Sequence, residues 1–168
     1  VVYITVGTGI GAGIYMDGRL VHGMLHPEAG HMLIAPVKGD EAHCVCPYHT
    51  NCLEGLAAGP SIEKRWGRKA AELVERPEVW ELESTYLAQA ITNLIMVVSP
   101  QRFILGGGVM HQKQLFPLIR RKVVENVNGY IRTPEMADMD TYIVPAERKD
   151  DQGILGALRL AQMAVEQR

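Results

Sequence analysis

The chain contains no apolar run long enough to cross a bilayer, which excludes a helical membrane span within it. It has no excess of one charge: 17 Lys and Arg against 19 Asp and Glu leave a net −2. No basic field is therefore present to gather nucleic acid. A signal peptide is not expected, since the opening VVYITV reads as a strand from its first residues. A start at Val1, in the middle of a β-run and without methionine, is expected of a piece of a longer protein. Three cysteines is an odd number, and they fall between Cys44 and Cys52, so a disulfide framework is not expected. Clustered thiols suit a reducing, cytoplasmic compartment with thiolates on a metal.

What is present suffices for a globular core. The 168 residues are 47% hydrophobic, and a chain of this size hides about two thirds of its unfolded surface on folding. The densest chemistry lies in residues 28–59, EAGHMLIAPVKGDEAHCVCPYHTNCLEGLAAG. This stretch holds all three cysteines, three of the six histidines (His31, His43 and His49), and the flanking carboxylates Glu28 and Glu54. Thiolates and imidazoles packed this closely point to a metal, and zinc prefers four such ligands in a tetrahedron. Cys46, His49 and Cys52 recur every three residues, as in a tight knuckle, with His31 reaching in as a fourth ligand. The set His31, Cys44, Cys46 and Cys52 is the rival. Buried free cysteines beside solvated histidines would be the bland alternative.

Two glycine-rich segments flank this region. Val1–Val6 reads as a buried strand, GTGIGAG follows, Gly11–Met16 returns, and Asp17-Gly18 is a type I′ turn signal before a third strand over 19–22. Gly7, Thr8 and Gly9 are either a plain turn or a phosphate cradle, in which backbone N–H groups and a hydroxyl face phosphate oxygens. The Lys-Ser/Thr ending of a Walker loop is missing, and no helix follows as in a dinucleotide fingerprint. A strand-turn-strand phosphate loop belongs instead to the actin-like ATPase architecture. The second segment is Gly106-Gly107-Gly108-Val109, between a strand at 102–105 and a helix expected over 111–128. It permits close approach of a planar ligand or a phosphate, or is a simple turn.

The remaining pattern is helical. An apolar strand is expected over 32–34 and a loop over 37–43. Short helices are expected over 53–58, 61–66 and 69–75, with Gly59-Pro60 ending the first and opening the second. A long core helix spans about 78–98, with Leu87, Ala90, Ile91, Leu94, Ile95 and Val98 on one face. Lys113, Arg120, Arg121 and Lys122 form a basic stripe, read as a solvated face or a dimer rim. Residues 133–140 read as a loop and 141–145 as the last strand. Asp150-Asp151 is read as the cap of a final helix from Gln152 whose apolar face is Ile154, Leu158, Ala161 and Val165. Gly153 and Gly156 are expected to let that helix pack closely.

E-A-G-H followed by C-P-Y-H-x-x-C-L-E-G-L-A-A-G-P resembles the ROK family (repressors, open reading frames, sugar kinases), and within it the fructokinase branch. The family's more usual cysteine segment is C-x-C-G-x-x-G-C. This chain departs from it with Pro47 for the glycine, His49 inserted, and one more residue before Cys52. That departure matches the branch pattern and favours His31, Cys46, His49 and Cys52 as ligands, with Cys44 a bystander. The resemblance implies an α/β fold of the actin-like (ribonuclease H-like) ATPase type, a mixed sheet flanked by helices, with a zinc-binding loop over 31–52.

It also implies that Glu28, His31 and Glu54 contact sugar hydroxyls, that the zinc is structural, and that Gly7, Thr8, Gly9, Pro60, Gly106, Gly107, Gly108 and Val109 bind ATP with magnesium. The implied reaction transfers phosphate from ATP to a hexose, fructose first, with glucose, mannose and N-acetylmannosamine as alternatives. A sugar-responsive repressor and a ligand-free zinc-stapled module are the other classes. Kinases of this family carry a D-x-G-G-T loop and a catalytic aspartate in an N-terminal domain, and neither motif is in this sequence. Residues 1–168 are thus expected to be the larger C-terminal domain, without the base, inactive alone and dimeric by analogy. The final helix is expected to cross back to that absent domain.

Overall fold

A computed structural model describes residues 1–41, 44–147 and 151–166. Its centre is a five-stranded mixed sheet in the order β3-β2-β1-β4-β5. β1 (Val2–Val6), β2 (Ile10–Met16) and β3 (Arg19–Leu20) form an antiparallel meander, while β4 (Phe103–Gly106) and β5 (Ile143–Pro145) add in parallel beside β1. Two-residue periodicity decides the faces. Val2, Ile4 and Val6 are buried, whereas Tyr3 and Thr5 are only half-buried. Asp17 (φ 50°) and Gly18 (φ 79°) make the expected type I′ turn. The third strand is two residues long, shorter than the expected 19–22.

The helices are α1 (Leu53–Ala57), α2 (Gly59–Trp66), α3 (Pro77–Val98), α4 (Leu115–Val127), α5 (Pro134–Ala137), α6 (Met139–Tyr142) and α7 (Gln152–Glu166). Burial on α3 follows the expected apolar face: Leu87, Ala90, Ile91, Leu94 and Ile95 all join one core with β1, β4 and α4. Pro77 opens α3, one residue before the expected start, because a first-turn residue has no intrahelical N–H bond to lose.

Several expectations fail locally. Residues 69–75 form only a 3₁₀ turn, Ala70–Glu72. The indole N–H of Trp80 donates to the carbonyls of Leu73 (3.0 Å) and Val74 (3.3 Å), and Pro77 has no N–H with which a helix could continue onto Leu73. Residues 32–34 make a single bridge, Leu33 with Cys52, rather than a strand. Gln89 of α3 occupies both backbone groups of Ala35, accepting from its N–H at 2.9 Å and donating to its carbonyl at 3.0 Å. The glycine triplet leads into a 3₁₀ turn, Gly108–His111, so α4 starts at Leu115, not 111, with Pro117 in its first turn where a proline is tolerated.

Residues 133–140 are not a loop but include α5 and the start of α6, capped by the side chains of Thr133 and Asp138. The basic stripe is in part paired, while Lys113 and Arg121 stay exposed. Arg120 holds the Ile143 carbonyl (2.7 Å) and the Asp140 carboxylate, and Arg121 and Lys122 both reach Glu81 (2.8 and 2.9 Å). On α7, no Cβ added at Gly153 or Gly156 would meet a neighbour among the described residues, so neither glycine is in close packing within this chain. Asp150 of the expected cap, and His43, lie outside the described residues.

Candidate functional site

The metal-ligand candidates are assembled by the loop over 44–52. Its C-terminal end is tied by the Leu33–Cys52 bridge, with N–H bonds from Ile34 to Asn51 O (3.0 Å) and from Leu53 to Met32 O (3.0 Å), and its N-terminal end by the Val45 N–H to Gly55 O (2.8 Å). The donor atoms of His31, Cys46, His49 and Cys52 all lie within 4.8 Å of one another. Cys46 Sγ is 3.4 Å from His49 Nδ1 and 3.8 Å from His31 Nδ1, and Cys52 Sγ is 3.7 Å from His31 Nδ1. Tetrahedral zinc with bonds of about 2.3 Å to sulfur and about 2.0–2.1 Å to nitrogen requires sulfur–nitrogen edges of about 3.5 Å. The four residues therefore fit a zinc ion in both donor chemistry and spacing.

Cys44 is outside this set. Its thiol donates to the His49 carbonyl at 3.0 Å, so it braces the loop from behind. The backbone of Tyr48 holds the Cys46 thiol below its ordinary pKa, while burial pushes Cys52 up to about 11. A bound cation would favour the thiolate of both.

Of the sugar candidates, His31 belongs to this cluster and Glu54 lies against it, whereas the Glu28 carboxylate is turned to His26. Glu28 precedes the 3₁₀ turn Ala29–His31 and accepts the His31 N–H at its carbonyl (2.9 Å). Its carboxylate is 2.7 Å from His26 Nε2, a partner that sequence reasoning missed. Glu54 is the second residue of α1. Its Oε1 lies 3.7 Å from His31 Nε2, and its Oε2 accepts the Ile10 N–H at 2.8 Å. His31 thus turns Nδ1 to the thiols and Nε2 to a carboxylate, as oriented metal-site histidines commonly do. The Ile10 contact was also missed, because a backbone donor carries no residue signature.

The glycine segments converge beside Glu54. The Gly59 N–H donates to Gly7 O at 2.7 Å, and a Cβ built on Gly59 would lie 4.0 Å from Val109 Cγ2. Pro60 follows in the first turn of α2. Gly107, at φ 93°, would place a Cβ 2.4 Å from Val6 O, so only glycine lets β4 turn this close to the end of β1. Gly7, Pro60 and Gly107 thus come from three separate segments that meet at the carboxyl ends of β1 and β4. Gly106 and Gly107 also line an open cavity of about 740 Å³, with Met110, His111, Phe116 and Arg120 along its wall. Open α/β sheets bind ligands at the carboxyl ends of parallel strands.

The model of the ROK family matches residues 1–164. The chain belongs to the ROK family. This ROK chain is 44% identical over 165 residues to a fructokinase of Pediococcus pentosaceus, an alignment covering 98% of the chain and 56% of that protein. It matches the ROK hexokinase of Thermus thermophilus with a TM-score of 0.81 at 25% identity, covering 99% of this chain and 58% of that one. A ROK family glucokinase of Streptomyces griseus, solved with glucose and AMPPNP, has the same fold at a TM-score of 0.68 and 20% identity, covering 96% and 60%. The fold is that of the actin-like ATPases, as expected. The chain spans about half the length of the curated relatives it matches, corresponding to their C-terminal half. Among the described residues no helix is long and apolar enough to cross a membrane.

Proposed function

We propose that the full-length protein containing this chain transfers the γ-phosphoryl group of MgATP to a hexose, D-fructose first, giving fructose 6-phosphate and ADP. The observation that carries the reading is the hydrogen bond from Ile10 N–H to Glu54. It joins a carboxylate–imidazole pair suited to sugar hydroxyls to a glycine hairpin suited to phosphates, within one site. The identity to a fructokinase over nearly the whole chain supports the choice of sugar.

In this reading Glu28, His31 and Glu54 take paired hydroxyls of the hexose, since carboxylates accept from two hydroxyls at once and so discriminate epimers. Gly7, Thr8 and Gly9 present N–H groups and a hydroxyl to the phosphates. Gly106, Gly107, Gly108 and Val109 lie against the adenosine, which the adjoining cavity has the volume to accept. Pro60 closes the far side of the hairpin. Zinc bound by His31, Cys46, His49 and Cys52 supplies a fixed loop rather than an activated water, because all four of its positions are filled by protein.

The base that orients and deprotonates the sugar hydroxyl comes from a further, N-terminal domain, residues 1–168 being the larger C-terminal domain. The exposed apolar face of α7 supports a partner of that kind: Ile154, Leu158 and Val165 are 66%, 63% and 74% exposed. Association as a homodimer rests on family analogy. A coupled ADP-release assay of the full-length protein against fructose, glucose, mannose and N-acetylmannosamine tests the reading. Preference for fructose supports it, preference for another of the four reassigns the substrate, and no turnover with any hexose removes it.

A further inference from the structure

The Glu54 carboxylate is held from both sides. Oε2 accepts the Ile10 N–H at 2.8 Å, at the first residue of β2 directly after the Gly7–Gly9 turn. A Cβ on Gly9 would lie 2.6 Å from that oxygen and 3.4 Å from Cδ, so the carboxylate fills the space that any other residue at position 9 would need. On the opposite side Oε1 faces His31 Nε2 at 3.7 Å, and the Nδ1 of the same ring faces Cys46 and Cys52. The backbone repeats this connection. Cys52 caps α1 by accepting the Gly55 N–H at 3.3 Å, one residue beyond Glu54. The Gly59 N–H bond to Gly7 O then adds a second tether from the same helical corner to the same hairpin.

We propose that Glu54 is a positioning residue for the nucleotide as well as a sugar contact: it links the metal knuckle to the phosphate hairpin, so that metal loading sets affinity for the nucleotide phosphates. This rests on the reading above that the Gly7–Gly9 hairpin takes those phosphates. The physical basis is additive restraint. The ligands fix His31 and the N-terminus of α1, these fix the Glu54 carboxylate, and the carboxylate fixes the Ile10 amide. Removing the ion frees the first link and leaves the Ile10 N–H to exchange its carboxylate for water.

The test uses the full-length protein, metal-loaded and chelator-stripped, with MgADP binding measured by calorimetry and exchange of the Ile10 amide by mass spectrometry. Losing one charge-assisted hydrogen bond predicts an MgADP Kd about tenfold weaker on stripping, with faster exchange at Ile10. Glu54→Ala should show both effects with metal still bound, and stripping should add little to either, since the two act through one link. Gly9→Ala, which leaves every ligand in place, should reproduce the Ile10 effect by displacing the carboxylate. Glu54→Gln keeps an acceptor for Ile10, so its amide protection should persist while the hexose KM rises. The proposal is overturned if stripping alters neither MgADP binding nor Ile10 exchange, or shifts both by the same factor in Glu54→Ala as in the wild type. If metal-loaded wild type binds no nucleotide, the kinase reading fails, and Ile10 exchange alone decides whether the tether exists.

Discussion

Glu83, in the middle of α3, is a fully buried carboxyl whose Oε1 has no hydrogen-bond partner among the described residues. Burial raises its pKa well above the usual carboxylate range, with nearby Arg65 opposing only in part. The folded state therefore binds a proton that the unfolded state releases at lower pH. Its stabilising contribution is complete below the ordinary glutamate pKa and is lost as pH rises toward the raised value. Glu83→Gln should remove that slope, so melting temperatures of wild type and variant should diverge in favour of the variant as pH increases. At the metal cluster, Cys46→Ser, Cys52→Ser or His49→Ala should each abolish stoichiometric zinc by elemental analysis, because a site needing four ligands loses one. Cys44→Ser should retain it, since a hydroxyl can still donate to the His49 carbonyl.

At the scale of elements, the loop over 36–41 is held onto two helices by a buried ion pair. Arg65 of α2 grips Asp40 with two bonds of 3.0 Å and reaches the Leu56 carbonyl at 3.1 Å, while the Tyr86 hydroxyl of α3 donates to the same carboxylate. Both charges are nearly inaccessible, at 5% and 4% exposure. Asp40→Ala should therefore cost about 3–5 kcal/mol in denaturant unfolding, because it strands a buried guanidinium. Leu87, Ala90, Ile91 and Leu94 made α3 readable, and the metal ligands were readable because thiols and imidazoles this close in sequence have few other uses. The anchoring of residues 73 and 74 was not readable, since Trp80 donates to both carbonyls from a separate helix. Thr133 and Asp138 were local cap signals that could have revealed α5 and α6. The Ile10–Glu54 bond lay beyond any residue pattern, as it joins positions 44 apart through a main-chain donor.

At the scale of the whole molecule, one side of the sheet carries the core while the other opens on a groove of about 710 Å³, lined by Tyr3, Thr5, Tyr15, Gly153 and Leu160. Tyr3 donates to Gln152 at 2.5 Å across the start of this groove, and no residue of α7 is buried among those described. Such a helix has little of its own packing to stabilise it, since helical stability comes mainly from a buried apolar face. In the full-length protein α7 should be protected from amide exchange, whereas in residues 1–168 alone it should exchange near the free-coil rate. The division of labour proposed for the site belongs to this scale, with sugar, zinc and nucleotide contacts on one domain and the base on another. The most direct measurement is ATP-dependent phosphorylation of fructose, with product identified by NMR, for the full-length protein and for residues 1–168 in parallel. The account predicts fructose 6-phosphate from the former and no more than trace product from the latter. No phosphorylated hexose from the full-length protein, or comparable turnover by residues 1–168 alone, would contradict it.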